Sequence, residues 1–178
     1  RCGDGLDNDL DGITDCYDSA CATDVACVDA LRIVEVTLSA APSVELFNPT
    51  ETSVAPAGFK LCDQSGTCAD LSPMGTIDGG TVGTVDLSAL APTLSLDVEG
   101  GSLTLTDGGA PETAQSILSF VGWGAHASQL HDAAVDGKRW RQGDTIPTHG
   151  MNPATDSLAN DGTGSLLDAW SCLLYTSP

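Results

Sequence analysis

From residue 31 onward the chain is written in short apolar runs separated by turn residues. Leu31–Leu38, a β-type run, predicts a strand. Pro42 interrupts, and Ser43–Phe47 predicts the next strand, ended by Asn48-Pro49. Gly58–Cys62 predicts a third, closed by the turn-rich segment Asp63–Thr67. Thr81–Leu87, Leu94–Val98 and Ser102–Thr106 follow, with a hairpin expected about Gly100-Gly101. Gln115–Trp123 is the most apolar run and the best core candidate, and Ala127–Val135 predicts one or two helical turns. Ser157–Leu167 contains the Asn160-Asp161-Gly162 turn, and Trp170–Tyr175 reads as a closing strand. Short strands at this spacing, with no βαβ pattern and no fixed repeat, predict an all-β sandwich.

Residues 1–29 break that pattern. They are polar and carry Asp4, Asp7, Asp9, Asp11, Asp15, Asp18, Asp24 and Asp29 together with Cys2, Cys16, Cys21 and Cys27. The expected organisation is therefore a small Asp- and Cys-rich module over 1–29 and a β-sandwich over 30–178. So little apolar surface in the first segment calls for disulfides to hold it, and disulfides imply an oxidising compartment. Cys62 and Cys68 are placed to close a short loop between adjacent strands. Seven cysteines leave one over, and Cys172 is the natural remainder, free or paired between chains. No CxxC pair is matched by a second, which argues against a thiolate zinc site.

The net charge of −19 sharpens the function classes. So acidic a chain repels phosphate backbones and anionic headgroups, which sets aside nucleic acid and membrane insertion and favours divalent cations. The chain begins at Arg1 without Met and shows no signal peptide and no apolar run of membrane length. It reads as the mature form of a secreted or cell-surface protein whose targeting peptide has been removed. Cys2 is not the first residue, which sets aside an N-terminal lipid anchor.

Within the head, Asp7-Asn-Asp-Leu-Asp-Gly-Ile-Thr-Asp-Cys-Tyr-Asp18 fits a calcium loop. That template wants oxygen ligands at positions 1, 3, 5, 7, 9 and 12 and Gly at 6. The residues there are Asp7, Asp9, Asp11, the Ile13 carbonyl, Asp15 and Asp18, with Gly12 at the sharp turn. Calcium is hard and large and takes roughly six to eight oxygens, whereas magnesium keeps more water and fewer carboxylates. Asp4 is a candidate ligand for the same ion or a second one. Two departures stand out: Asp18 replaces the long bidentate Glu of the template, and no helices flank the loop. A structural site, filled constantly by extracellular calcium, is therefore expected rather than a switch.

Cys2-Gly-Asp-Gly-Leu-Asp-Asn-Asp-Leu-Asp-Gly-Ile-Thr-Asp-Cys16, continued by Asp18, Cys21 and Cys27, resembles the CGDGxDNDxDGxxDC calcium-binding motif of secreted and surface proteins of myxobacteria and their relatives. It is also similar to thrombospondin type 3 repeats, which bind calcium in Asp-rich, disulfide-linked loops. Leu10 stands where some members have Cys. Ile33-Val-Glu-Val36, Val44-Glu-Leu-Phe-Asn-Pro49, Gly58-Phe-Lys-Leu61, Val121-Gly-Trp-Gly124 and Gly137-Lys-Arg-Trp140 resemble the lamin-tail domain. That resemblance implies an immunoglobulin-like sandwich and a role in interaction or anchoring, not catalysis.

Other constellations point less far. His126 and His131 are not at the spacing of helical zinc ligands, and His149 is distant, so surface or turn histidines are expected. No G-x-S-x-G occurs, and Gly79-Gly80 and Gly100-Gly101 lack the lysine and helix of a phosphate loop. Lys138, Arg139 and Arg141 gather half of the six basic residues around Trp140. They read as a solvated edge over a core tryptophan or as a contact for an acidic surface, of which residues 1–29 of the same or another copy are the obvious example. The resulting expectation is a non-enzymatic, calcium-binding extracellular protein whose partners are calcium and other copies of itself, up to a filament or surface layer. The alternative is an adhesion module that binds protein, or glycan on exposed Trp123, Trp140 or Trp170. A hydrolase is the weakest reading.

Overall fold

The computed structural model describes residues 31–90, 93–125, 129–137, 139–160 and 170–173. The chain enters through Leu31, which is buried, directly into β1 (Arg32–Thr37). β1 pairs antiparallel with β2 (Ser43–Phe47), and β2 with β5 (Val82–Asp86). On its other side β1 meets β8 (Ser157–Asn160), which pairs with β9 (Trp170–Leu173). The result is a five-stranded antiparallel sheet of order β5-β2-β1-β8-β9. The second sheet, of order β4-β3-β6-β7, is built from β3 (Lys60–Asp63), β4 (Cys68–Asp70), β6 (Gly100–Thr106) and β7 (Ile117–Gly124). The predicted all-β sandwich is thus observed, with two antiparallel sheets sharing one apolar core.

The core follows the two-residue period of the strands. Ile33, Val36, Val44, Leu46, Val85 and Leu158 of the first sheet join Leu61, Leu103, Leu105, Val121 and Trp123 of the second. A hydrogen bond joins the two layers. The β1–β2 register slips between Ile33 and Glu35, and the Ile33 N–H freed there donates to Ser119 Oγ of β7 at 3.2 Å. Asn48 ends β2 as its Asn-Pro pair predicts. Its buried side chain donates to Thr52 O and Ile77 O and accepts from Thr50 N, which ties down the loop that follows.

Among the described residues two α-helical pieces, α1 (Leu87–Leu90) and α2 (Gln129–Asp136), and a 3-10 turn over Ala114–Ser116 accompany the strands. α2 lies where helical turns are predicted, and α1 is a single turn after β5. The Asp86 carboxylate starts it by accepting from the N–H groups of Ser88 and Ala89.

Two expectations need correction. Leu94–Val98 is not a strand. Its N-terminal part is held instead by Asp63, whose carboxylate accepts the Ser95 N–H at 2.9 Å. The turn expected at Gly100-Gly101 falls earlier, at Val98-Glu99, and both glycines lie inside β6. Close approach explains them: a Cβ on Gly100 would sit 2.4 Å from Ala125 O, and one on Gly101 2.8 Å from the Trp123 ring.

Candidate functional site

The calcium-loop residues Asp7, Asp9, Asp11, Ile13, Asp15 and Asp18, with Asp4 and with Cys2, Cys16, Cys21 and Cys27, lie outside the described residues, as do Lys138 and His126. The donor chemistry of the loop is all oxygen, which suits a hard cation such as calcium. Among the described residues no three His, Cys, Asp or Glu side chains are grouped to hold a metal ion.

Cys62 and Cys68 are directly opposed on β3 and β4 and form the expected disulfide, with Cα atoms 4.0 Å apart. The connecting turn is organised by Asp63. Its Oδ1 accepts from Ser65 N, Ser65 Oγ and Thr67 N, while Oδ2 takes the Ser95 N–H. A buried carboxylate with this many donors needs no cation. Cys172 lies in β9, opposite Leu158 of β8.

Arg139 of the basic stretch is brought near the start of β1. Arg139 follows α2 and donates Nε–H to Ile117 O at the head of β7, 3.2 Å away. Arg32 of β1 sits beside it. Burial, and then the neighbouring Arg139 guanidinium, hold Arg32 below the usual arginine value. Arg32 escaped the sequence reading because an isolated Arg next to the acidic head gives no local signal; only the packing of β1 against β7 joins it to Arg139. Arg141 is half-buried, and Trp140 between the two arginines is core, edge-on to Phe120 at 5.4 Å.

All three tryptophans are buried. Trp123 Nε1 donates to Asp97 O at 2.7 Å and Trp140 Nε1 to Asp144 O at 3.0 Å. Among the described residues no indole face is open for a sugar to stack on. His131 departs from the surface position expected for it: α2 turns it inward, edge-on to Phe120, while His149 is exposed as expected.

A depression of about 460 Å³ opens where β6 begins and β7 ends. Gly124 N donates to Ile146 O, Thr145 Oγ1 to Gly124 O and Ala125 N to Glu99 O, so the loop over 145–153 is fastened to the sheet rim. Glu99, Thr148 and His149 line it beside Val98 and Met151. Among the described residues no hydrogen bond joins His149 to a hydroxyl or a carboxylate, so the wall carries polar groups without a linked acid, base and nucleophile. Comparison of the chain with protein-family models, curated proteins and solved structures finds no match.

Proposed function

We propose that the chain is a non-enzymatic extracellular structural and interaction protein, stabilised by calcium in its N-terminal module and assembling with other copies of itself. The observation that carries this reading is the spacing Asp7, Asp9, Asp11, Gly12, Ile13, Asp15, Asp18, which puts an oxygen donor at each ligand position of a calcium loop and Gly at its sharp turn, with Asp18 in place of the template's Glu. Three features of the sandwich support it. The Cys62–Cys68 disulfide fits an oxidising compartment. Buried Leu31, the first described residue after the acidic segment, leads into β1, which is flanked on both sides by β2 and β8, so the chain after that segment joins a central strand. The Arg32–Arg139 pair, with Arg141 and Lys138 nearby in the chain, gives an acidic surface of another copy a complementary face.

Calorimetric titration with calcium, paired with thermal melting in calcium and in chelator, tests the reading. Calcium is expected to raise the melting temperature, since an ion at a hundred times its Kd stabilises by about 2.7 kcal/mol. Asp9→Ala and Asp11→Ala should each lower melting in calcium and remove the difference that chelator makes. Wild-type melting that is the same in calcium and in chelator overturns the proposal.

A further inference from the structure

We propose that two copies of the chain pair through the outer edge of β5, antiparallel across a two-fold axis, so that their five-stranded sheets become one. This pairing rests on the self-assembly part of the function proposed above and names its surface, but it needs neither the metal nor the basic face.

The edges of the two sheets are treated unequally. β4 is a three-residue edge, charged at Asp70 and stapled to β3 by the disulfide. The β7 edge is occupied: Arg139 Nε–H covers Ile117 O, Ile146 N donates to Gly122 O, and Gly124 N donates to Ile146 O. Short strands, charges and covering segments are the usual defences of an open edge. β5 has neither a covering segment among the described residues nor a free charge along its middle. It holds no proline, its register with β2 is continuous, and its one charge, Asp86, is engaged with Ser88 and Ala89. Val82 is 46% exposed and is the only exposed large hydrophobic among the described residues.

The phase of the ladder says which groups are offered. Asn48 N donates to Thr81 O and Leu87 N to Pro42 O, each at 2.9 Å, so residues 81, 83, 85 and 87 bond toward β2. The N–H and C=O groups of Val82, Thr84 and Asp86 point away from the sheet, and among the described residues nothing bonds to them.

The edge complements itself. Antiparallel pairing centred on Thr84 sets Thr84 opposite its own copy and Val82 opposite Asp86, forming about six main-chain hydrogen bonds. Thr–Thr is a favourable cross-strand pair. The two Asp86 side chains fall about 13 Å apart along the strand, beyond the ~8 Å screening length at physiological salt. A head-to-tail array through β9 is the other way for copies to share this sheet. Five strands in antiparallel order leave β5 and β9 running the same way, so continuing the sheet there makes a parallel pair, which is less stable per residue.

Sedimentation equilibrium across a concentration series of the full chain, in salt sufficient to screen its net charge of −19, tests the pairing. A monomer–dimer equilibrium is expected, tightening as salt is raised. Thr84→Pro removes an outward N–H without touching the β2 ladder and should weaken dimerisation roughly tenfold or more. Val82→Lys places a charge on the exposed edge and should do the same if the proline variant does not fold. Both variants should keep the wild-type response of melting to calcium and chelator, which separates a failure here from a failure of the calcium reading. A wild type that stays monomeric at every concentration, or dimers untouched by both variants, overturns the proposal. Filaments that Thr84→Pro abolishes overturn the two-fold in favour of the β5–β9 array.

Discussion

The two sheets share a core but differ on their outer faces. Every residue of β6, in the middle of the four-stranded sheet, is buried, so that sheet is covered on both sides. Cys62, Ser102, Thr104 and Phe120 lie on the side away from the shared core, and Phe120 packs edge-on against Trp140 and His131. The five-stranded sheet is covered on its inner side and, on its outer side, only over β8, where Ser157 and Ala159 are buried. Its outer side shows Glu35, Glu45, Phe47, Val82 and Thr84 half-buried or exposed, and its β5 edge is unpaired among the described residues. Antiparallel sheets tolerate one wet face, whereas a sheet buried on both faces must satisfy its polar groups internally. The difference teaches that the four-stranded sheet is the closed half of the molecule, while β1, β2 and β5 of the five-stranded sheet present a surface.

The sharpest way to break this contrast is to truncate one side chain on each sheet. Trp123 is fully buried in β7 and anchored to Asp97 O. Trp123→Ala should cost about 3–5 kcal/mol in denaturant unfolding. Val82→Ala on the open edge should stay within ~0.5 kcal/mol. Comparable losses at the two positions would mean that β5 is not a free edge.

A smaller effect probes the covered face. Among the described residues the buried hydroxyls of Ser102 and Thr104 have no hydrogen-bond partner. Thr104→Val keeps the shape and removes an unpaired hydroxyl, and should stabilise by about 1 kcal/mol. A loss of stability instead would show that a buried water satisfies the group.

These hydroxyls also mark how far the sequence could be read. The alternation of Ser102-Leu-Thr-Leu-Thr106 identifies a strand and correctly sends Leu103 and Leu105 to the core. It assigns the hydroxyl side to solvent by default, because nothing local records that a segment well along the chain will cover it. The same limit hid the Arg32–Arg139 pair, which exists only once β1 and β7 pack. Local turn chemistry was legible at Asn48-Pro49 and across Asp63–Thr67, where the side chains bond within a few residues of themselves. It misled at Gly100-Gly101, since glycine serves a turn and a close approach equally well. The acidic loop is the opposite case: its proposed ligands all lie between Asp7 and Asp18, so that reading rests entirely on spacing within one short stretch.

The smallest expected effect belongs to the wet face. Glu35 and Glu45 are direct cross-strand partners on β1 and β2, an arrangement that disfavours two charges. Partial burial, and then the facing Glu35, push Glu45 above its ordinary value, while a hydrogen bond from Thr84 pulls the other way. A carboxyl whose pKa is raised in the folded state stabilises the fold below its unfolded value and loses that contribution as the pH climbs through the folded one. Glu45→Gln should therefore stabilise the protein by about 0.3 kcal/mol at neutral pH, a small figure because the pair is largely solvent-screened. The gain should vanish in acid, where wild-type Glu45 is itself neutral. Asp70 and Asp86, held low chiefly by hydrogen bonds from Ser72 and Ser88, lose their stabilisation as the pH falls. Only the difference between wild type and Glu45→Gln across a pH series isolates the pair. A difference that does not change with pH would mean that the Glu35–Glu45 repulsion is not felt, and that this face tolerates charge as freely as an ordinary surface.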